Sequence, residues 1–284
     1  MCEFCLKHGE GQKWYLQAKN YSEDLLSDVR RRRFIEAFSD PETIARAAAR
    51  SARHINRLNK APRLIKDMIS RLVTRRMKKV HFGQVVPLEE IEQIFGFTSS
   101  ITRIACTCRH ATLGKEMRYC YGISLSPDGG KLAEIFHGVD KTFDAGPNVS
   151  QLERLTKEEA LAAFRTHEHE GLCHTVWTFY TPFIGGICNC DRSDCLAMRS
   201  TVTHAVPVMF RAEYVANIVP EACTGCRECM RLCQFGAITF SPSNKKAVID
   251  QRWCYGCGIC RSVCKKNAIH LEDRAKSQIA STLW

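Results

Sequence analysis

The chain has 284 residues, 45% hydrophobic and 25% charged, with a formal charge of +11. That composition suits a folded chain of about two domains with an ordinary core. No run of 18 apolar residues occurs and Met1–Glu10 carries no apolar stretch, so neither a membrane span nor a secretory signal is expected.

In chain order, Cys2, Cys5 and His8 come first, as C-x2-C-x2-H. They could bind zinc, join cysteines further along, or lie on a frayed terminus. Residues 22–38 read as a helix, with Ser22 as N-cap and Glu23 and Asp24 in the first turn. Residues 41–58 read as a second helix, capped by Asp40 and begun by Pro41. Residues 62–79 carry the clearest amphipathic rhythm, in Leu64, Ile65, Met68, Ile69, Leu72 and Val73. Pro87 opens another helix, reaching about Phe95. Residues 30–79 hold sixteen Lys and Arg against four Asp and Glu, a balance of +12, so the rest of the chain is near neutral. The run Arg30–Arg33 reads by itself as a solvated helix face. The wider basic region suits an acidic partner protein, steered by opposite charge. Nucleic acid is disfavoured because no DNA- or RNA-reading motif accompanies the charge.

From Ile101 the pattern changes to mixed α and β. Ile101–Cys106 and Lys131–Phe136 are strand candidates, and Ser126-Pro-Asp-Gly-Gly130 is a turn. Thr156–Glu170 reads as a helix with a Thr156/Glu159 capping box, and Leu172–Tyr180 as a strand. This region contains Cys106, Cys108, Cys120, Cys188, Cys190 and Cys195, including two C-x-C pairs. Alternate strand residues face opposite ways, so a C-x-C on one metal needs a bend. Gly185-Gly186 and the residues from Asp191 to Asp194 supply one. Any four of the six could hold a further iron–sulfur cluster; zinc and buried free thiols are the alternatives. His167, His169 and His174 read as a polar helix end and a core imidazole rather than a ligand set. Trp177, Phe179, Tyr180 and Phe183 read as core.

The most specific signal lies near the C-terminus. Cys223, Cys226, Cys229 and Cys233 form C-x2-C-x2-C-x3-C, and Cys254, Cys257, Cys260 and Cys264 repeat it 31 residues later. This spacing wraps soft thiolates around a 4Fe–4S cube, whereas zinc ribbons rarely use four cysteines in one tight run. Gly225, Gly256 and Gly258 lie where the backbone must curl tightly. Ala237–Ser241 and Lys246–Asp250 read as strands joined by a turn. Seventeen cysteines without a secretory signal read as metal ligation in a reducing, cytoplasmic compartment. Cluster fragility points to an anaerobe.

Residues 214–273 resemble a bacterial-type ferredoxin with two 4Fe–4S clusters. In that family the fourth cysteine of each run crosses over. The resemblance implies one cluster on Cys223, Cys226, Cys229 and Cys264, and another on Cys254, Cys257, Cys260 and Cys233. The family usually places Pro after the fourth cysteine; here Gln234 and Lys265 follow. Residues 85–200 resemble iron–sulfur proteins of anaerobic bacteria. The likeness rests on Cys106-Thr-Cys108-Arg109, Cys120-Tyr121-Gly122, Glu158-Glu-Ala-Leu161, Gly171-Leu-Cys-His174 and Ile187-Cys-Asn-Cys190. That resemblance supports a metal site without naming a reaction.

The expected architecture is α+β. A basic helical region (1–96) precedes a mixed α/β cysteine-rich domain (97–212) and a ferredoxin-like dicluster domain (213–284). The expected role is an electron-transfer protein, or the electron-relay subunit of an anaerobic oxidoreductase complex, with at least two 4Fe–4S clusters and a third in the middle domain. It is more a carrier than a catalyst: no dinucleotide or phosphate loop, no C-x3-C-x2-C and no Ser/His/Asp set occurs. The alternatives are a reductase whose middle cluster is the substrate site, and a DNA-linked redox sensor.

Overall fold

A computed structural model of the chain describes residues 2–140 and 153–284. A short helix, α1 (Glu3–His8), leads through three 3-10 turns to α2 (Val29–Ser39), α3 (Pro41–Asn59) and α4 (Arg63–Val80). The first expected helix is therefore split. Ser22 caps a 3-10 turn by accepting from the Asp24 N–H, and Asp28 caps α2 by accepting from the Arg30 N–H. At the head of α3, Asp40 accepts from the N–H groups of Glu42 and Thr43, and Pro41 occupies the first turn, where its missing N–H costs nothing.

Strand β1 (Gly83–Val85), α5 (Leu88–Phe97), β2 (Ser100–Ile104), α6 (Thr107–Leu113) and β3 (Cys120–Ser124) follow. Next come α7 (Gly130–Asp140), β4 (Glu153–Leu155), α8 (Lys157–His169), β5 (Cys173–Thr178) and β6 (Ile184–Cys190). The strand expected at Lys131–Phe136 is instead part of α7. Its alternation was too short to outweigh a helical reading in which Leu132 and Ile135 sit three apart and are both buried. The Thr156/Glu159 capping box at α8 is formed as expected.

The strands make a seven-stranded sheet, ordered β4-β2-β3-β6-β5-β1-β7, where β7 is Met209–Phe210. All its pairings are antiparallel except β1 with β7. β1 comes from the N-terminal hundred residues, yet it lies between β5 and β7. The main core contains Trp14, Tyr15, Phe82 and Phe95 from that stretch and Tyr121 and Phe164 from the region after it. Burying such aromatic area is the dominant stabilising term for the sheet.

After β6 come the short α9 (Leu196–Met198) and one wide π turn. The C-terminal region then folds as β8 (Tyr214–Ile218), α10 (Glu228–Leu232), β9 (Ile238–Ser241), β10 (Lys246–Ile249), α11 (Ile259–Ser262) and β11 (Ile269–Asp273). β9 pairs with β10 and β8 with β11, both antiparallel. The two four-cysteine loops lie between these hairpins, each ending in a short helix. Among the described residues no helix is long and apolar enough to cross a membrane.

Candidate metal centres

The two C-terminal loops have equivalent backbones. Gly225 and Gly256, 31 residues apart, both have φ of +71°. A Cβ on Gly225 would lie 2.2 Å from the Lys245 carbonyl oxygen, and one on Gly256 2.1 Å from that of Tyr214. Only glycine fits either place. Backbone N–H groups point at the sulfurs: Ala216 and Gly256 at Cys254 (3.3 and 3.4 Å), Ala237 at Cys233 (3.3 Å) and Ala268 at Cys264 (3.3 Å). Ala237-Ile238 and Ala268-Ile269 follow the two runs at the same spacing, and the equivalent N–H groups of Ala237 and Ala268 account for that recurrence.

Cys229 lies among Cys226, Cys223 and Cys264. Cys260 lies among Cys257, Cys254 and Cys233. The fourth cysteine of each run thus sits with the other run's first three. As free thiols Cys229 and Cys254 resist ionisation, since burial pushes both up to about 11. Converging thiols, inward amides and glycine-only bends suit a soft polynuclear anion, whose iron would offset the cost of ionising the thiols. The residues present therefore fit 4Fe–4S clusters. The first set reaches the surface, since Cys226 is exposed, whereas Cys254 and Cys260 are buried.

The six middle cysteines also come together. Cys120 and Cys188 are cross-strand partners on β3 and β6. Cys106, which caps α6, hydrogen-bonds to Cys120, and Cys120 to Cys188. Cys195 accepts from Cys108 and Cys190, which holds its thiol well below the usual range and raises the other two. The bend that lets Cys188 and Cys190 serve one site is the end of β6, where Asp191 accepts from Ser193 Oγ and the Asp194 N–H.

A buried cation faces this group. Arg109 is 3% exposed, pairs with Asp191, and donates to Asn189 O (3.1 Å) and Cys106 Sγ (3.8 Å). Its Nε is buried without a hydrogen-bond partner among the described residues. A donor left over beside six sulfurs is the environment an anionic cluster would complete.

Cys173 was not legible as a site residue. Its thiol hydrogen-bonds to Cys257 of the second C-terminal set, and Cys195 and Cys233 lie near it. Its backbone pairs with Cys190 across β5 and β6. One apolar cluster encloses Cys173, Cys190, Cys195 and Ile259, with Cys188, Cys233 and Cys257 packed against it. The middle and C-terminal cysteines therefore adjoin through one buried thiol.

At the N-terminus, Cys2 and Cys5 are buried rather than frayed, and they lie apart from the six. Their sulfurs are 3.3 Å apart, and Cys5 donates to Glu213 Oε1 at 3.5 Å. Arg274, 1% exposed, holds the other oxygen of Glu213 at 2.9 Å. All three ligand atoms lie within 4.8 Å of one another, a spacing for a single ion such as zinc rather than a cube. Glu213, not His8, completes the group; only the tertiary fold brings it there.

Two of the three histidines are core groups, His167 among them despite its expected place at a polar helix end. His174 is fully buried, with Nδ1 2.6 Å from Asn189 Oδ1, and His167 Nε2 lies 2.8 Å from the Tyr121 hydroxyl. His169 is exposed. Arg31 departs from the expected solvated face of Arg30–Arg33. It is 5% exposed and donates to the carbonyls of Phe179 and Tyr180 at 2.8 and 2.9 Å.

Compared with known families, residues 222–268 match the 4Fe-4S dicluster domain. Among curated proteins, none matches this chain.

Proposed function

We propose that this chain is an iron–sulfur electron-transfer protein, or the electron-relay subunit of a larger oxidoreductase complex. Cys223, Cys226, Cys229 and Cys264 would hold one 4Fe–4S cluster; Cys254, Cys257, Cys260 and Cys233 a second; four of the six middle cysteines a third. Such clusters, when bound, supply reversible one-electron oxidation and reduction. The N–H groups of Ala216, Ala237, Gly256 and Ala268 favour negative charge on the sulfurs. Lys265 and Lys266 add positive charge beside Cys264.

The observation that carries this reading is the position of Cys173. The cysteine groups run from the exposed Cys226, past Cys257 and Cys173, to the middle set. A relay needs adjoining centres and one exposed end. The basic surface of α2–α4 suits an acidic redox partner, and unpaired thiols in this number suit a reducing compartment such as the cytoplasm.

The test is anaerobic iron and sulfide analysis of the full chain. Three clusters require about twelve irons and two require about eight. Replacing Cys188 and Cys190 by Ser is expected to remove about four irons and spare the remainder. Iron-free protein, or a variant that loses none, would end this reading. Zinc measured alongside reports on Cys2, Cys5 and Glu213.

A second reading, in which the middle site meets a substrate, is favoured by one observation: the six cysteines form the floor of a cavity.

A further inference from the structure

That cavity measures about 1310 Å³. Pockets for small organic ligands run about 300–1,000 Å³, so the space is larger than a cysteine cage needs. Its walls are helices α2, α3 and α4, which contribute Phe38, Ile44, Ile55, Ile69 and Val73. α2 packs against Phe179 and Phe183 through the buried Ile35, and hydrogen bonds pin α2 and α4 in place. Arg31 anchors α2 to Phe179 and Tyr180. On α4, Ser70 Oγ donates to Ala205 O and Thr74 Oγ1 to Pro207 O, each at 2.9 Å. The space beneath them is therefore bounded by a helical roof.

Among the described residues no Asp or Glu lines the chamber, so apart from its cysteine floor its charged side chains are basic. Of its cationic residues, Arg109 is paired with Asp191 and Arg118 with Glu116. His81 is buried against Thr178 O at 2.5 Å. Arg57 and Arg199 remain, with His54 also on the lining and His204 close to both Arg199 and Lys66. An apolar interior with a basic rim selects a molecule that has both characters.

We propose that the chamber binds an organic anion with an extended apolar body, such as a medium-chain carboxylate, its chain under α3 and its head toward Arg199 and His204. The placement of that ligand against a metal centre rests on the proposed third cluster; the binding does not.

Isothermal titration of the anaerobically loaded full chain would use decanoate, decylamine and butyrate as probes. Decanoate is expected to bind at one equivalent, at least about tenfold tighter than either of the others. Ala48→Trp, which fills the space under α3, is expected to weaken decanoate at least about tenfold without changing iron content. Ile69→Glu introduces a carboxylate from α4 and is expected to reverse the preference toward decylamine, which keeps the test decisive if Ala48→Trp does not fold. Decanoate no tighter than decylamine, or Ile69→Glu without effect on that preference, would overturn the proposal. Low-temperature paramagnetic resonance reads the placement: decanoate is expected to shift the signal that Cys188→Ser with Cys190→Ser removes, and an unshifted signal refutes contact with the centre. About eight irons with decanoate binding intact would end the third-cluster reading while supporting the chamber. About twelve irons without binding would end the chamber proposal alone.

Discussion

The Gln234 side chain donates to the Gly171 carbonyl at 2.8 Å and accepts from the Arg192 N–H at 3.0 Å. It stands directly after Cys233, where ferredoxins usually carry Pro, and joins the C-terminal region to the turn before Cys173 and the bend after Cys190. Arg261 adds a bidentate pair with Glu89 at 2.6 and 2.9 Å, and Ser262 Oγ donates to Glu168 O at 3.4 Å. These ties hold Cys257 beside Cys173.

Gln234→Ala is therefore expected to loosen this junction while leaving the iron content intact. Loss of two partly exposed hydrogen bonds costs roughly 1–2 kcal/mol. Urea unfolding followed by tryptophan fluorescence would measure it, and an unchanged midpoint would count against Gln234 as the tie.

The glycines of the two loops offer an internal comparison. Gly225→Ala and Gly256→Ala each drive a Cβ to within about 2.2 Å of a carbonyl oxygen, on a left-handed backbone. Gly236→Ala has the same sign of φ, at +67°, but meets nothing within 4 Å. The first two are expected to abolish loading of the C-terminal iron. Gly236→Ala should cost only the backbone term, on the order of 1 kcal/mol. Equal iron in all three variants would contradict a cluster-shaped loop.

Arg109 is the key charge of the middle site. Burial disfavours its charge, but Cys106, Asp191 and Cys190 outweigh that and raise its pKa. Arg109→Leu leaves Asp191 buried without its cation, a loss of about 3–5 kcal/mol in comparable pairs. The expected result is selective loss of middle-site iron. Partial rescue by Asp191→Asn in the same chain would identify the stranded carboxylate as the cause, and no rescue would point to direct contact with the metal group.

Acid should weaken the fold above the pH at which carboxylates titrate. Burial lowers His81, His167 and His174 to about 4, whereas unfolded imidazoles protonate near 6.5. Between those values the unfolded chain binds more protons, so this stability is complete above pH 6.5 and is lost as pH falls toward 4. Glu168 acts oppositely: burial raises it to about 7, and its contribution declines as pH rises from about 4.5. Three imidazoles against one carboxyl leave a net loss of stability on acidification, by about two protons. Urea midpoints at several pH values should show this slope, and His167→Gln should flatten it; a midpoint independent of pH from 6.5 to 4.5 would refute it.

The dicluster loops were readable from residue spacing because their chemistry is local. Thiolates three and four residues apart, with glycines between them, can close on one group without help from the rest of the chain. The capped helices α3 and α8 were readable for a similar reason, since Asp40, Pro41, Thr156 and Glu159 act within one turn. The split before α2 and the helix at Gly130–Asp140 were harder to read, since neighbours in space settle such short segments.

Sequence alone decided the soft-ligand chemistry and the 31-residue repeat, because bonding reach along the chain is short and fixed. Tertiary structure decided which distant groups share a site: Cys173 with Cys257, Glu213 with Cys2 and Cys5, and the helical roof over the six middle cysteines. Those meetings depend on strand register, helix docking and burial summed over the whole core, which no local pattern records.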